Sequence, residues 1–317
     1  MAFDRLPAGS WVLVTGATGL VGSLPCSWCW SQRRKAAGFT AHLTEAYGEG
    51  VFEFIEVPDI AVRGAFDAHL QGVAGIVHVA TDTSLEGLID TDNALLTVSA
   101  QIVGLMKSAA RVNTSQILRS DFLVHNRDIY RGGIRQGHRD INGDISRPYA
   151  AVKIHGEQEA WKYWKETKPG YAFNTVLPVM VIGPVANPTK EIYSTHTYIN
   201  EVFQGKNDGL ALAFMNPPKW MVDTRDCAAI HVAALLSTET SGERLWAAAH
   251  QHTLNQHLAL WRKTFPDREI LTDFDFPPAP RIDITDREKS TKLLKNFTGR
   301  DWYSFEVTAL ANVAHAL

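Results

Sequence analysis

The sequence predicts an α/β chain: a doubly wound parallel sheet with a small C-terminal lobe. Three observations carry this. Short β-branched apolar runs alternate with helical patterns, a glycine-spaced turn directly follows the first run, and the second half is more broken. Trp11–Thr15, Val51–Val57, Gly75–Ala80 and Tyr171–Leu177 read as strands. Leu95–Ala110 carries apolar residues at helical spacing, and a second helix runs over Ala150–Lys168 until Lys168-Pro169-Gly170 stops it. Alternation of this kind places helices on both faces of a parallel sheet. Further on, the patterns predict helices over Thr224–Leu236, Leu254–Phe265, Arg287–Phe297 and Ser304–Ala314, with a strand over Arg244–Ala249. Residues 1–184 thus form the main domain, and residues 185–317 mainly the lobe, with some elements returning to the first core.

The chain has 317 residues, 45% hydrophobic and 21% charged, which supports a large core and excludes a disordered or collagen-like polymer. Lys and Arg number 31 against 34 Asp and Glu, a net charge of -3, so no basic field is expected to hold nucleic acid or an anionic membrane. No window approaches the ~20 apolar residues of a spanning helix, and no basic segment precedes an apolar run at the N-terminus, so a cytoplasmic protein is expected. Cys26, Cys29 and Cys227 form no disulfide framework. Cys26-Ser-Trp-Cys29 has the spacing of half a zinc site, but no second half follows, and no metal is expected.

The clearest chemical signal is Gly16-Ala17-Thr18-Gly19-Leu20-Val21-Gly22, entered from the Trp11–Thr15 strand. Backbone bends tightly at Gly16, approaches a pyrophosphate at Gly19 where a side chain would intrude, and packs helix on strand at Gly22. Free amides at the helix start hold the anion. The plainer alternative is a loop that merely needs positive φ. A second signal is Tyr149-Ala-Ala-Val-Lys153, which opens a helix and projects Tyr and Lys from one face. A tyrosyl hydroxyl, with a pKa near ~10, exchanges protons poorly at neutral pH unless a nearby ammonium favours its phenolate. Lys153 supplies that charge; the alternative is a solvated helix pair.

The two signals together resemble the extended short-chain dehydrogenase/reductase superfamily. The resemblance narrows to the branch of dihydroflavonol reductases, cinnamoyl-CoA reductases and fungal methylglyoxal and aldehyde reductases. Val57-Pro58-Asp59-Ile60 stands where that branch places an acidic residue beside the adenine, and His78-Val79-Ala80-Thr81 is similar to a strand-end cofactor contact. Asn174–Pro184, which includes Pro178 and Val181, looks like the segment that passes the nicotinamide. Val222-Asp-Thr-Arg-Asp-Cys-Ala228 followed by His231-Val-Ala resembles a further stretch of the branch, and Asp223 and Asp226 read as a helix start and first turn rather than as catalysts.

The resemblance implies a Rossmann-type fold and an NAD(P)H-dependent reduction of a ketone or aldehyde. Tyr149 would exchange the proton with the substrate oxygen, and Lys153 would tune Tyr149 and bond the nicotinamide ribose. NADP(H) is inherited from the family, with NAD(H) as the alternative. A sugar-nucleotide epimerase or dehydratase shares the same tyrosine and lysine. The implied partner is a small carbonyl compound, bound by a monomer or homodimer.

Two stretches depart from the family. Residues 23–38, with Pro25 early in the expected helix, lack the second strand and its phosphate-binding basic residue; Arg33, Arg34 and Lys35 fall too early for it and read as a solvated basic turn. Residues 113–147 lack the strand ending in serines that precedes the catalytic helix. There Thr114, Ser115 and Ser120 read as solvated loop, and a central strand is expected to be missing. Codons exist for which Asn113–Val124, read one nucleotide later, gives I-R-V-K-F-F-V-L-T-S-S-S, so a shifted frame or mis-splicing is a candidate cause. A catalytically impaired dinucleotide-binding protein is therefore the reading from another class.

Among the remaining residues, His250, His252 and His257 lack ligand spacing and read as solvated surface. Trp161 and Trp164 read as a packed helix stripe, and Trp220 as pocket lining or core.

Overall fold

The computed structural model describes residues 2–17, 19–23, 44–45, 48–81, 90–112, 114–120, 146–185, 195–206, 219–276, 283–284 and 286–317. In chain order these form β1 Trp11–Thr15, α1 Leu20–Ser23, β2 Val73–His78, α2 Thr91–Arg111, β3 Gln116–Ser120, α3 Ser146–Thr167, β4 Ala172–Pro178 and β5 Met180–Ile182. There follow α4 Thr195–Phe203, β6 Lys219–Asp223, α5 Thr224–Leu236, β7 Arg244–Ala247, β8 His250–His252, α6 Leu254–Thr264, α7 Arg287–Thr298 and α8 Phe305–Val313. No described helix is long and apolar enough to cross a membrane. The chain divides into two compact units, residues 1–18, 26–177 and 234–244 in the first, and residues 19–25, 178–233 and 245–317 in the second.

The five-stranded sheet has the order β1-β2-β3-β4-β7, and in the first unit β1–β2, β2–β3 and β3–β4 are parallel. Its core joins Leu13, Ile76, Ile117 and Phe173 of the strands to Ile102, Leu105 and Met106 of α2. Helix α2 starts where Asp90 Oδ1 accepts Asn93 N at 3.1 Å, a side-chain cap on an orphan amide. Helix α3 stops at Lys168, whose φ of 45° leaves the helical region ahead of Pro169. Trp161 and Trp164 do form a packed stripe, edge-on to each other at 5.7 Å and both against Phe173, at 4.7 and 6.2 Å. Among the described residues β1 and β7 are the outer strands, and residues 24–43 lie outside the described residues.

Two expectations about this unit are corrected. Val51–Val57 joins no ladder, although Ile55 and Val57 pack on the core. An apolar run marks a half-buried surface, but a strand also needs a neighbour, which the run does not specify. Conversely, the central strand is present. β3 pairs with β2 from Gly75↔Gln116 to His78↔Arg119, and with β4 from Gln116↔Ala172 to Ser120↔Val176. Ladder partners on both sides satisfy its backbone whatever its side chains prefer, and Ile117 joins it to the core. Thr114 is likewise no solvated loop: it is buried, and its Oγ1 donates to Val73 O at 3.3 Å.

The second unit holds a small sheet of order β5-β6-β8, with β5 and β6 parallel and β8 antiparallel to β6. Met180, Ile182, Phe203, Met221, Leu258 and Trp261 meet in its core. Here the histidine expectation fails. Leu254, His257, Leu258 and Trp261 are the buried face of α6, at the spacing of an apolar stripe, so His257 is a core residue. It lies against Trp261 and Phe305 at ring distances of 5.6 and 4.8 Å, with Nε2 3.4 Å from Met221 Sδ. His252 stacks on Phe305 at 3.9 Å, and His250 Nε2 donates to Tyr303 O at 3.0 Å. Burial, with a smaller contribution from neighbouring His252, brings the His257 pKa down to about 3. Trp220 is half-buried beneath the Arg287 guanidinium, 5.0 Å from its ring.

Candidate active site

Parallel pairing brings the carboxyl ends of β1, β2 and β3 to one edge of the first sheet, the position at which open α/β sheets hold ligands. β1 ends at Thr15, and the chain turns at Gly16 with φ 70°. An added Cβ at Gly16 would lie 2.8 Å from Ala80 N, so only glycine lets the turn run against the backbone that leaves β2. Ala17 is fully buried, and Thr18 lies outside the described residues. Gly19 leads into α1, which contains Leu20, Val21 and Gly22. Residues 24–43, with Cys26, Cys29, Arg33, Arg34 and Lys35, are not described.

The backbone leaving β2 is shaped by polar groups that sequence reading did not single out. Thr15 Oγ1 accepts Val79 N and Ala80 N at 3.2 and 3.1 Å and lies 2.8 Å from His78 Nδ1. Thr15 and His78 are 63 residues apart, so only the pairing of β1 with β2 reveals the contact. Thr81 follows, and its Oγ1 accepts a hydrogen bond from Lys153 Nζ at 2.9 Å.

Helix α3 presents Tyr149, Lys153 and Glu157 at successive intervals of one turn. Lys153 is only 7% exposed, with Nζ 5.8 Å from the centroid of the Tyr149 ring. Tyr149 itself is half-buried and packs with Leu95 against Ala94, Val98 and Val152. Glu157 anchors the helix. Its Oε1 accepts Arg244 Nε at 2.7 Å, Thr175 Oγ1 at 3.0 Å and Trp161 Nε1 at 3.1 Å, and Oε2 accepts Arg244 Nη2 at 3.0 Å. Burial pushes the Glu157 carboxyl up, but Arg244 and the two side-chain donors outweigh it and hold the group below its ordinary value. No motif marks Glu157; its position two turns beyond Tyr149 is the signal that would have found it.

β3 ends at Ser120, the last described residue before a gap that runs to Ser146 at the start of α3. Asp59 is exposed, with Oδ1 accepting Ala61 N at 2.8 Å in a local turn, while Ile60 packs on the core. Pro178 and Val181 belong to the second unit, where both are buried. Asp223 and Asp226 sit at the start and first turn of α5, as the sequence implies. They also clamp the C-terminal segment: Thr308 Oγ1 donates to Asp223 Oδ2 at 3.0 Å, while Arg300 Nη1 and Tyr303 N donate to Asp226, each at 2.7 Å.

No family model matches the chain. Among curated relatives, ketoreductase adrE of Penicillium rubens is 29% identical over 98% of this chain and 97% of its own length. Aldehyde reductase 2 of Sporidiobolus salmonicolor is 28% identical, covering 95% of this chain and 94% of the relative. Among solved structures, Gre2 of Candida albicans in complex with NADPH has a TM-score of 0.77 at 18% identity, covering 97% of this chain and 99% of that one. The glycine turn, the Tyr149–Lys153 helix and this likeness over nearly the whole length agree: the chain is similar to fungal ketoreductases and aldehyde reductases and shares the fold of a solved methylglyoxal-type reductase.

Proposed function

We propose that this protein reduces a ketone or aldehyde to an alcohol with NADPH. The observation that carries the reading is a buried Lys153 ammonium beside the Tyr149 ring, at the edge where β1 and β2 end. The residues present fit a dinucleotide. Gly16 keeps side chain out of the turn, Asp59 offers an exposed carboxylate toward an adenine, and Lys153 offers N–H donors for a ribose. NADP(H) is favoured because the similar Gre2 of Candida albicans was solved with NADPH.

Bound NADPH supplies the hydride. Tyr149 gives its hydroxyl proton to the carbonyl oxygen as negative charge develops there. The phenolate left behind is stabilised by the Lys153 ammonium, an opposite charge in a site shielded from water. The Thr15 and His78 contacts hold the strand-end backbone against which the cofactor would lie, and Glu157 fixes the roll of α3, so that both functional side chains face one way. The residues assigned to the dinucleotide are Gly16–Gly22, Asp59, Ile60, Ala80, Thr81, Tyr149, Lys153, Pro178 and Val181, and residues 185–317 are assigned mainly to substrate selection. We place the protein in the cytoplasm as a monomer or homodimer, with neither nucleic acid nor membrane as partner, in keeping with its net charge of -3. A sugar-nucleotide epimerase has less support, since relatives that match nearly the whole chain carry ketoreductase and aldehyde reductase names.

Thermal unfolding with saturating NADPH, and separately NADH, tests the cofactor assignment. A ligand present at a hundred times its Kd adds about 2.7 kcal/mol to a native state that alone binds it. NADPH is expected to raise the midpoint more than NADH does; no rise with either would overturn the reading.

A further inference from the structure

The Lys153 side chain is aimed by a relay that begins on β1. Thr15 Oγ1 accepts the amides of Val79 and Ala80, which occupies both of its lone pairs, so the hydroxyl proton is left for His78 Nδ1 at 2.8 Å. His78 thus serves as an acceptor at Nδ1, which sets its tautomer. Thr15, His78 and the close approach of Gly16 to Ala80 together pin the Val79–Thr81 backbone. That backbone delivers Thr81 Oγ1 to 2.9 Å from Lys153 Nζ. A lysine ammonium rotates on a long flexible stem, and a fixed acceptor gives it a direction.

We propose that Thr81 is a positioning residue, whose hydroxyl, held by the Thr15–His78 relay, orients the Lys153 ammonium toward Tyr149 and the cofactor ribose. This rests on the reductase reading and extends it to a residue that acts through the lysine, beyond any contact it makes with the cofactor.

The test compares wild type, T81V and T81S in three readouts: acetic-anhydride labelling of Lys153 followed by mass spectrometry, the KM for NADPH, and kcat at saturating NADPH. T81V keeps the shape and removes the hydroxyl, and its unfolding midpoint checks that the fold survives. Losing one charge-assisted hydrogen bond should make Lys153 label about tenfold faster and lower kcat about tenfold even at saturation, with T81S restoring both. A residue that merely touched the ribose would raise the KM and leave saturated kcat and labelling unchanged, and that result would overturn the proposal. The labelling needs no turnover. A wild-type chain that reduces no carbonyl, with T81V still labelling faster, would therefore defeat the reductase reading and leave the tether standing.

Discussion

The Tyr149–Lys153 pair and the Asp223–Asp226 pair both lie in stretches that resemble one family, and the surroundings of each reveal what it is for. At Asp223 every carboxylate oxygen is taken: Oδ1 accepts Arg225 N and Nε at 2.8 and 2.9 Å, and Oδ2 accepts Arg225 Nη2 and Thr308 Oγ1 at 2.7 and 3.0 Å. Arg225 and Arg300 each lie 3.8 Å from the Tyr303 ring. Such saturation holds the C-terminal segment to β6 and α5 and leaves no group for a substrate. At the carboxyl edge of the first sheet, by contrast, the buried Lys153 ammonium donates to Thr81 Oγ1 at 2.9 Å and lies 5.8 Å from the centroid of the Tyr149 ring. A stretch that resembles a family is therefore not by itself evidence of chemistry; Asp223 and Asp226 are accounted for by the fold.

The sharpest way to break this contrast is Tyr149→Phe. It should lower kcat for carbonyl reduction by about 10²–10⁴-fold, the worth of a positioned acid, while NADPH binding measured by thermal shift is retained. Asp226→Ala should do the reverse. Removing the acceptor of Tyr303 N and Arg300 costs about 1–3 kcal/mol, visible as a lower denaturant midpoint, with kcat per folded molecule unchanged. Glu157→Gln lies between the two, with a loss of about 1–3 kcal/mol in stability as Arg244 loses its charged acceptor.

The smallest effect at neutral pH concerns the buried histidines. Burial lowers His231 and, with His315 or His250 adding to it, His196 and His252 to about 4; His257 falls to about 3. Each folded pKa lies below the ordinary 6.5, so the unfolded chain takes up protons first. Their stabilisation is complete above 6.5 and is lost as pH falls through the folded values, at about 1.4 kcal/mol per pH unit per histidine. Asp226, whose carboxyl burial raises despite Tyr303 N and Arg300, carries the opposite sign: its ionisation weakens the fold as pH rises past its ordinary 3.8. His257→Leu should flatten the acid limb of a stability-against-pH curve, and an unchanged limb would refute the assignment.

The glycine turn, α2, α3 and α5 were legible in the sequence because local pattern alone defines them: apolar strand into glycine, helical spacing, Pro169 and Asp223 at the boundaries. β3 was not, because Gln116, Arg119 and Ser120 are polar and their strand state depends on β2 and β4 on either side. The same holds for β5, β6 and β8, of which β8 is His-Gln-His and is fixed by pairing with β6. In the site, Tyr149 and Lys153 were readable from their spacing, whereas Thr15, His78 and Glu157 gain their roles only from partners distant in sequence. His257 was misread because a polar residue was weighed alone, although its neighbours Leu254, Leu258 and Trp261 already traced a buried stripe.

The central claim is that this chain reduces carbonyls with NADPH through a proton from Tyr149. The most direct test follows NADPH consumption over a panel of ketones and aldehydes for wild type and Tyr149→Phe, side by side. Carbonyl-dependent consumption is expected of the wild type and its near-abolition in the variant, with both raising their unfolding midpoints on NADPH. Consumption that is equal in the two proteins, or absent from the wild type across the panel, would contradict it.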